Sequence, residues 1–96
     1  MNPNAIGFTV YVARKASQAS IEAGKRVIDA LKTTAVISRG LRRADFKVIA
    51  KTSSPAMLIE LGYLSNAAEA QRLSTAQHRQ KLAEAIADGI IDALQQ

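Results

Sequence analysis

The chain has no cysteine and no tryptophan, only two prolines, and a single histidine among its 96 residues. Without cysteine it can form no disulfide framework, no thiolate zinc site and no thiol nucleophile. His78 alone cannot supply a metal site that needs two imidazoles, and any Ser-His-Asp triad would have to use it. No run approaches eighteen consecutive apolar residues, and the opening MNPNAIGFTVYVARK lacks a basic leader followed by an apolar stretch. Neither a transmembrane helix nor a signal peptide is therefore expected. Repeats, low-complexity tracts and Pro/Gly-rich linkers are also missing, so residues 1–96 read as one unit.

What is present is ordinary for a small core: 48% hydrophobic and 22% charged residues, with a net charge of +5. The charge is uneven. Residues 1–51 carry +7 and residues 52–96 carry −2. Phe8 to Val12 (FTVYV), β-branched and aromatic after Gly7, predicts a strand. From Ser17 to Lys32 the apolar positions Ile21, Gly24, Val27, Ile28 and Leu31 recur at three- and four-residue steps, predicting an amphipathic helix capped by Ser17 or Ser20. Thr33 to Asp45 reads as a basic connector, Phe46 to Ala50 as a short strand, and Ala56 to Ile59 as an apolar strand opened by Pro55. Asn66-Ala67-Ala68-Glu69 has the form of a capping box before a brief helix to about Leu73. Ser74 with Gln77 repeats that signal before a final helix whose marked face is Leu82, Ile86, Ile90 and Leu94, with Glu84, Asp88 and Asp92 opposite. The order predicts an α/β fold: about three strands of a mostly parallel sheet, flanked by an amphipathic helix and a long C-terminal helix.

Glu60 does not fit its surroundings. It ends an apolar strand closed by Pro55 and Gly62, at the carboxyl end where open α/β sheets gather functional groups. A carboxylate beside apolar walls is a candidate for proton transfer near neutral pH. The structural alternative is that Glu60 emerges into water or pairs with Arg39, Arg42 or Arg43. His78 lies in a polar first turn with no acidic or imidazole partner at helical spacing, which reads as a solvent-facing helix residue. The cations Arg39, Arg42, Arg43, Lys47 and Lys51 read either as a solvated connector or as a binding surface for an anionic wall polymer. Without interleaved aromatics or a helix-turn-helix the nucleic-acid signal is weak, a third alternative that rests on the basic charge alone.

The segment Ser54-Pro55-Ala56-Met57-Leu58-Ile59-Glu60-Leu61-Gly62-Tyr63-Leu64-Ser65-Asn66 resembles the signature near the end of zinc-dependent N-acetylmuramoyl-L-alanine amidases, the peptidoglycan amidase family. Gly7-Phe8-Thr9-Val10-Tyr11 is similar to that family's glycine-aromatic strand. Arg39-Gly40-Leu41 ahead of Phe46-Lys47-Val48-Ile49 is similar to its arginine-glycine turn and next strand, and the stretch from Gln80 to Ile90 to its closing helix. The resemblance implies a hydrolase that cuts the amide between the lactyl group of N-acetylmuramic acid and L-alanine, with zinc held by two histidines and a glutamate. It also implies that Glu60 is the catalytic glutamate that assists proton transfer.

The departures are as informative. The family's zinc ligands lie in the earlier half of its domain, the last on a histidine-bearing strand just before the segment where this sequence begins. His78 matches neither histidine position. The expectation is therefore about the second half of an amidase domain, with no metal ligands and no cofactor of its own, inactive by itself. Ala50 stands where the family has a strand arginine, with Lys51 beside it, so Arg39 and Lys51 are the candidate substrate contacts. Peptidoglycan is the implied partner, and a bare sheet edge would favour a homo-oligomer.

Overall fold

The computed structural model describes residues 7–34, 36–61 and 67–95. Its centre is β1 (Phe8–Val12), in the place the β-branched run predicts. Phe8, Val10 and Val12 are fully buried on one face, and Thr9 and Tyr11 alternate onto the other. Gly7 starts the strand at φ +98°, where a Cβ would stand 2.3 Å from the Ile37 carbonyl oxygen. That carbonyl accepts the Phe8 N–H at 2.9 Å, so the close approach both forbids a side chain and begins the sheet.

Helix α1 (Gln18–Lys32) begins at Ser17, whose hydroxyl accepts the Ser20 N–H. Ser20, Gly24, Val27, Ile28 and Leu31 form its buried stripe. Its end is closed by Thr33 and Thr34, whose hydroxyls donate to the Ala30 and Leu31 carbonyls at 2.6 Å. The chain then enters β2 (Ser38–Arg43), parallel to β1. This corrects the reading of residues 33–45 as a connector. SRGLRR has poor strand propensity, but Leu41 reaches the core and β1 offers an unpaired ladder edge, so tertiary pairing overrides composition.

A second correction follows. Phe46 to Ala50 is no strand but a single helical turn, α2 (Lys47–Ala50), closed by the Ile49 and Ala50 amides on the Phe46 carbonyl. Only Ile49 of this turn is buried, and the Phe46 ring meets Tyr11 edge-on at 5.3 Å. β3 (Leu58–Glu60) is shorter than predicted and runs antiparallel to β1, giving the order β2-β1-β3. The sheet is thus mixed rather than mostly parallel.

Helices α3 (Ala67–Leu73) and α4 (Ala76–Leu94) complete the described chain. The Asn66 cap lies outside the described residues. The α4 cap is Thr75, one residue beyond the predicted Ser74; its hydroxyl accepts the His78 N–H, while Ser74 Oγ donates back to the Gln71 carbonyl. Helices α1 and α4 pack together over one sheet face, where Phe8, Val10, Val27, Ile28, Leu31, Leu82 and Ala85 form the core. Burying each of the larger of these, the Phe, Val, Ile and Leu side chains, stabilises by about 1.5–3 kcal/mol. Among the described residues, no helix is long and apolar enough to cross a membrane.

Candidate functional site

Register decides where Glu60 stands. It pairs with Thr9, and Ile59 with Val10. Ile59 packs on the core, so alternation sends Glu60 to the face away from α1 and α4, the face that carries Thr9 and Tyr11. Glu60 is half-buried, and among the described residues its carboxylate has neither an ion-pair nor a hydrogen-bond partner. The alternative of a pair with Arg39, Arg42 or Arg43 is not realised there. Because β3 is antiparallel, its carboxyl end lies beside the amino ends of β1 and β2.

Arg39 arrives at the same end through a bulge. Ser38 pairs with Phe8 and Leu41 with Val10, so Arg39 and Gly40 together oppose Thr9. Gly40 supplies the left-handed conformation, φ +86°, that absorbs the extra residue. Thr9 therefore lies between Arg39-Gly40 on one side and Glu60 on the other, two strand spacings or about 10 Å across. The expected arginine-glycine turn is in fact this bulge within β2.

Lys51 is not part of this group. It follows α2 and lines a cleft with Arg14, Lys15 and Lys47 at the opposite, carboxyl end of β1. The five-cation cluster is thus split: Arg39 stands near Glu60, Lys47 and Lys51 stand at the other end, and Arg42 and Arg43 lie along the exposed strand between. Composition could not reveal the split, because it depends on the turn after β2. Thr9 carries no signal of its own in the sequence and becomes prominent only once register sets it opposite Glu60. His78, in the first turn of α4, is half-buried rather than solvent-facing.

Comparison with known proteins decides the family. The family model described as N-acetylmuramoyl-L-alanine amidase matches residues 1–92. The chain belongs to the N-acetylmuramoyl-L-alanine amidase family. The "Probable cell wall amidase LytH" of Staphylococcus aureus is 36% identical over 91% of this chain and 29% of its own length. Among solved structures, the catalytic domain of CwlV, an amidase from Bacillus (Paenibacillus) polymyxa, matches with TM-score 0.86 and 35% identity over 98% of this chain and 51% of that one. An amidase from Clostridium difficile 630 matches with TM-score 0.94 and 28% identity, again over 98% and 51%. The chain thus spans about half the length of these amidase structures and less of its LytH relative.

The zinc associated with this amidase family can be tested against the donors present. Among the described residues, no three His, Cys, Asp or Glu side chains come together as a ligating group. The single histidine sits at the start of α4, not on the sheet face that carries Glu60. The described residues do not fit a zinc site, and no step through the metal is assigned to them.

Proposed function

We propose that this chain supplies the part of a peptidoglycan amidase that carries the proton-transferring carboxylate, Glu60. The bond cut is the amide between the lactyl group of N-acetylmuramic acid and L-alanine. In that hydrolysis a water oxygen bonds to the carbonyl carbon and its proton passes to the Glu60 carboxylate. The carbon–nitrogen bond then breaks, and Glu60 returns the proton to the departing amine. Arg39, at the same end of the sheet, is the candidate contact for an anionic part of the substrate.

The observation that carries the reading is the register of Glu60 with Thr9 within a chain that the amidase family model covers over residues 1–92. It puts the carboxylate beside the amino end of β1. The resemblance sets the family's last histidine ligand on a strand that precedes the matched segment. Zinc donors would then come from outside the described residues, on another segment or another polypeptide.

The test is release of stem peptides from purified peptidoglycan, with and without a polypeptide carrying the zinc-ligand half of the family's domain. Release is expected only with that half, and Glu60→Gln should lower it by about 10²–10⁴-fold with zinc retained. Stoichiometric zinc and turnover by the chain alone would overturn the division of labour. Retained turnover in E60Q would overturn the role of Glu60. Self-association would use β3: the outer β2 edge is blunted by the Gly40 bulge and by Arg39, Arg42 and Arg43, whereas β3 is an edge of the described sheet. A monodisperse monomer in light scattering at high concentration would count against it.

A further inference from the structure

The carboxyl ends of β1 and β2 meet the turns into α1 and α2, the position where open α/β sheets leave a crevice for ligands. Two adjoining cavities lie there, at the other end of β1 from Glu60. One, of about 430 Å³, is lined by Arg14, Lys15, Lys47 and Lys51 with a single acid, Asp45. That acid is already engaged: one carboxylate oxygen accepts the Arg14 N–H at 2.9 Å and the other lies 4.0 Å from the Arg14 guanidinium. The Arg43 guanidinium donates to the Arg14 carbonyl at 3.0 Å, so the turn carrying Arg14 and Lys15 is held from both sides. Among the described residues, Lys15, Lys47 and Lys51 have no ion-pair partner.

The second cavity, of about 160 Å³, shares Ala13, Lys15 and Ala50 with the first, and Ser17, Thr52, Ser53 and Ser54 are among the residues that line it. Thr52 Oγ1 accepts the Ser54 N–H at 3.2 Å, which leaves its own proton to donate. The Ser53 and Ser54 hydroxyls have no hydrogen-bond partner among the described residues.

We propose that these adjoining cavities form a second binding site, separate from Glu60, for a phosphate monoester of a polyol or sugar. Three uncompensated ammonium groups beside Arg14 suit a group carrying about two negative charges near pH 7, which a phosphate monoester supplies and a single carboxylate does not. Phosphate oxygens accept from ammonium and guanidinium donors, and the Thr52, Ser53 and Ser54 hydroxyls suit the alcohol groups of the ester. The site needs no metal and does not rest on the amidase reading.

The test is titration of the full chain, at low salt, with sn-glycerol 3-phosphate, inorganic phosphate and acetate, followed by amide shifts in NMR. Saturable shifts centred on Lys15, Ser17, Lys51 and Ser53 are expected with glycerol 3-phosphate. Its affinity should be about two- to tenfold above that of inorganic phosphate, the worth of one neutral hydrogen bond. Lys15→Glu combined with Lys51→Glu should weaken it by about tenfold or more. Lys32→Glu, at the far end of α1 and about 22 Å from Ser17, should leave it within about twofold. Absence of saturation, shifts centred elsewhere, or an equal loss with K32E would overturn the site. Equal affinity for inorganic phosphate would overturn its hydroxyl half, and equal affinity for acetate its phosphate preference.

Discussion

Gly89 of α4 lies directly against the backbone of Val27 in α1: a Cβ on Gly89 would stand 2.7 Å from the Val27 Cα and 3.0 Å from the Arg26 carbonyl oxygen. Those neighbours are backbone atoms that cannot swing aside. Two terms compete in Gly89→Ala. Helix propensity favours alanine by about 0.8–1.0 kcal/mol, and overpacking costs about 1–3 kcal/mol. Overpacking should win, because the contact presses on main chain. A lowered urea midpoint is expected, and an unchanged or raised one would show that the helices separate at little cost.

Ser20 joins two parts of the chain that are distant in sequence. Its buried hydroxyl accepts the Ala56 N–H at 3.0 Å and receives the Ser17 hydroxyl at 3.1 Å, tying the start of α1 to the segment ahead of β3. Ser20→Ala strands the Ala56 N–H, at a cost of about 1–3 kcal/mol. Hydrogen exchange at Ala56 should quicken more than exchange at Val10 in the sheet centre. Equal protection in both proteins would mean that another acceptor takes over.

Arg26 and Asp92 bridge α1 and α4 at 3.2 Å, with side chains 35% and 53% exposed. At that exposure solvent screens the pair, and about 0.2–1 kcal/mol is the expected coupling in a double-mutant cycle with Arg26→Gln and Asp92→Asn. The coupling should shrink as salt rises toward 1 M, where the screening length is about 3 Å. A coupling that ignores salt would indicate packing by the arginine stem instead.

The strand FTVYV, the α1 stripe and its Ser17 cap were legible in sequence because local propensity and burial agree there. Where they conflict, sequence misleads. SRGLRR pairs as β2 only because β1 offers an edge and Leu41 reaches the core, and FKVIA, β-branched enough for a strand, closes into one helical turn under the Tyr11–Phe46 contact. Glu60 was legible as a misfit in an apolar run. Arg39 is legible as a candidate through the arginine-glycine resemblance, but its place beside Glu60 depends on a bulge at Gly40, and Thr9, opposite Glu60, depends on register alone. Lys51 lies in the same basic stretch of sequence as Arg39, and the turn after β2 carries it to the other end of the sheet.

The stripe Leu82, Ile86, Ile90 and Leu94 provides the sharpest test of how α4 is seated. Steps of four residues advance by 400°, so the stripe drifts about 40° per step and leaves the contact face within three steps. Leu82, Ala85 and Gly89 stay on that face and are buried, whereas Leu94 is 79% exposed and Leu82 only 1%. Leu82→Ala should therefore cost about 2–5 kcal/mol, and Leu94→Ala should stay within about 0.5 kcal/mol. Thermal or urea unfolding of the two variants separates the cases directly. Comparable losses at both positions would mean that Leu94 is covered in solution, and that α4 has a partner along its last turn.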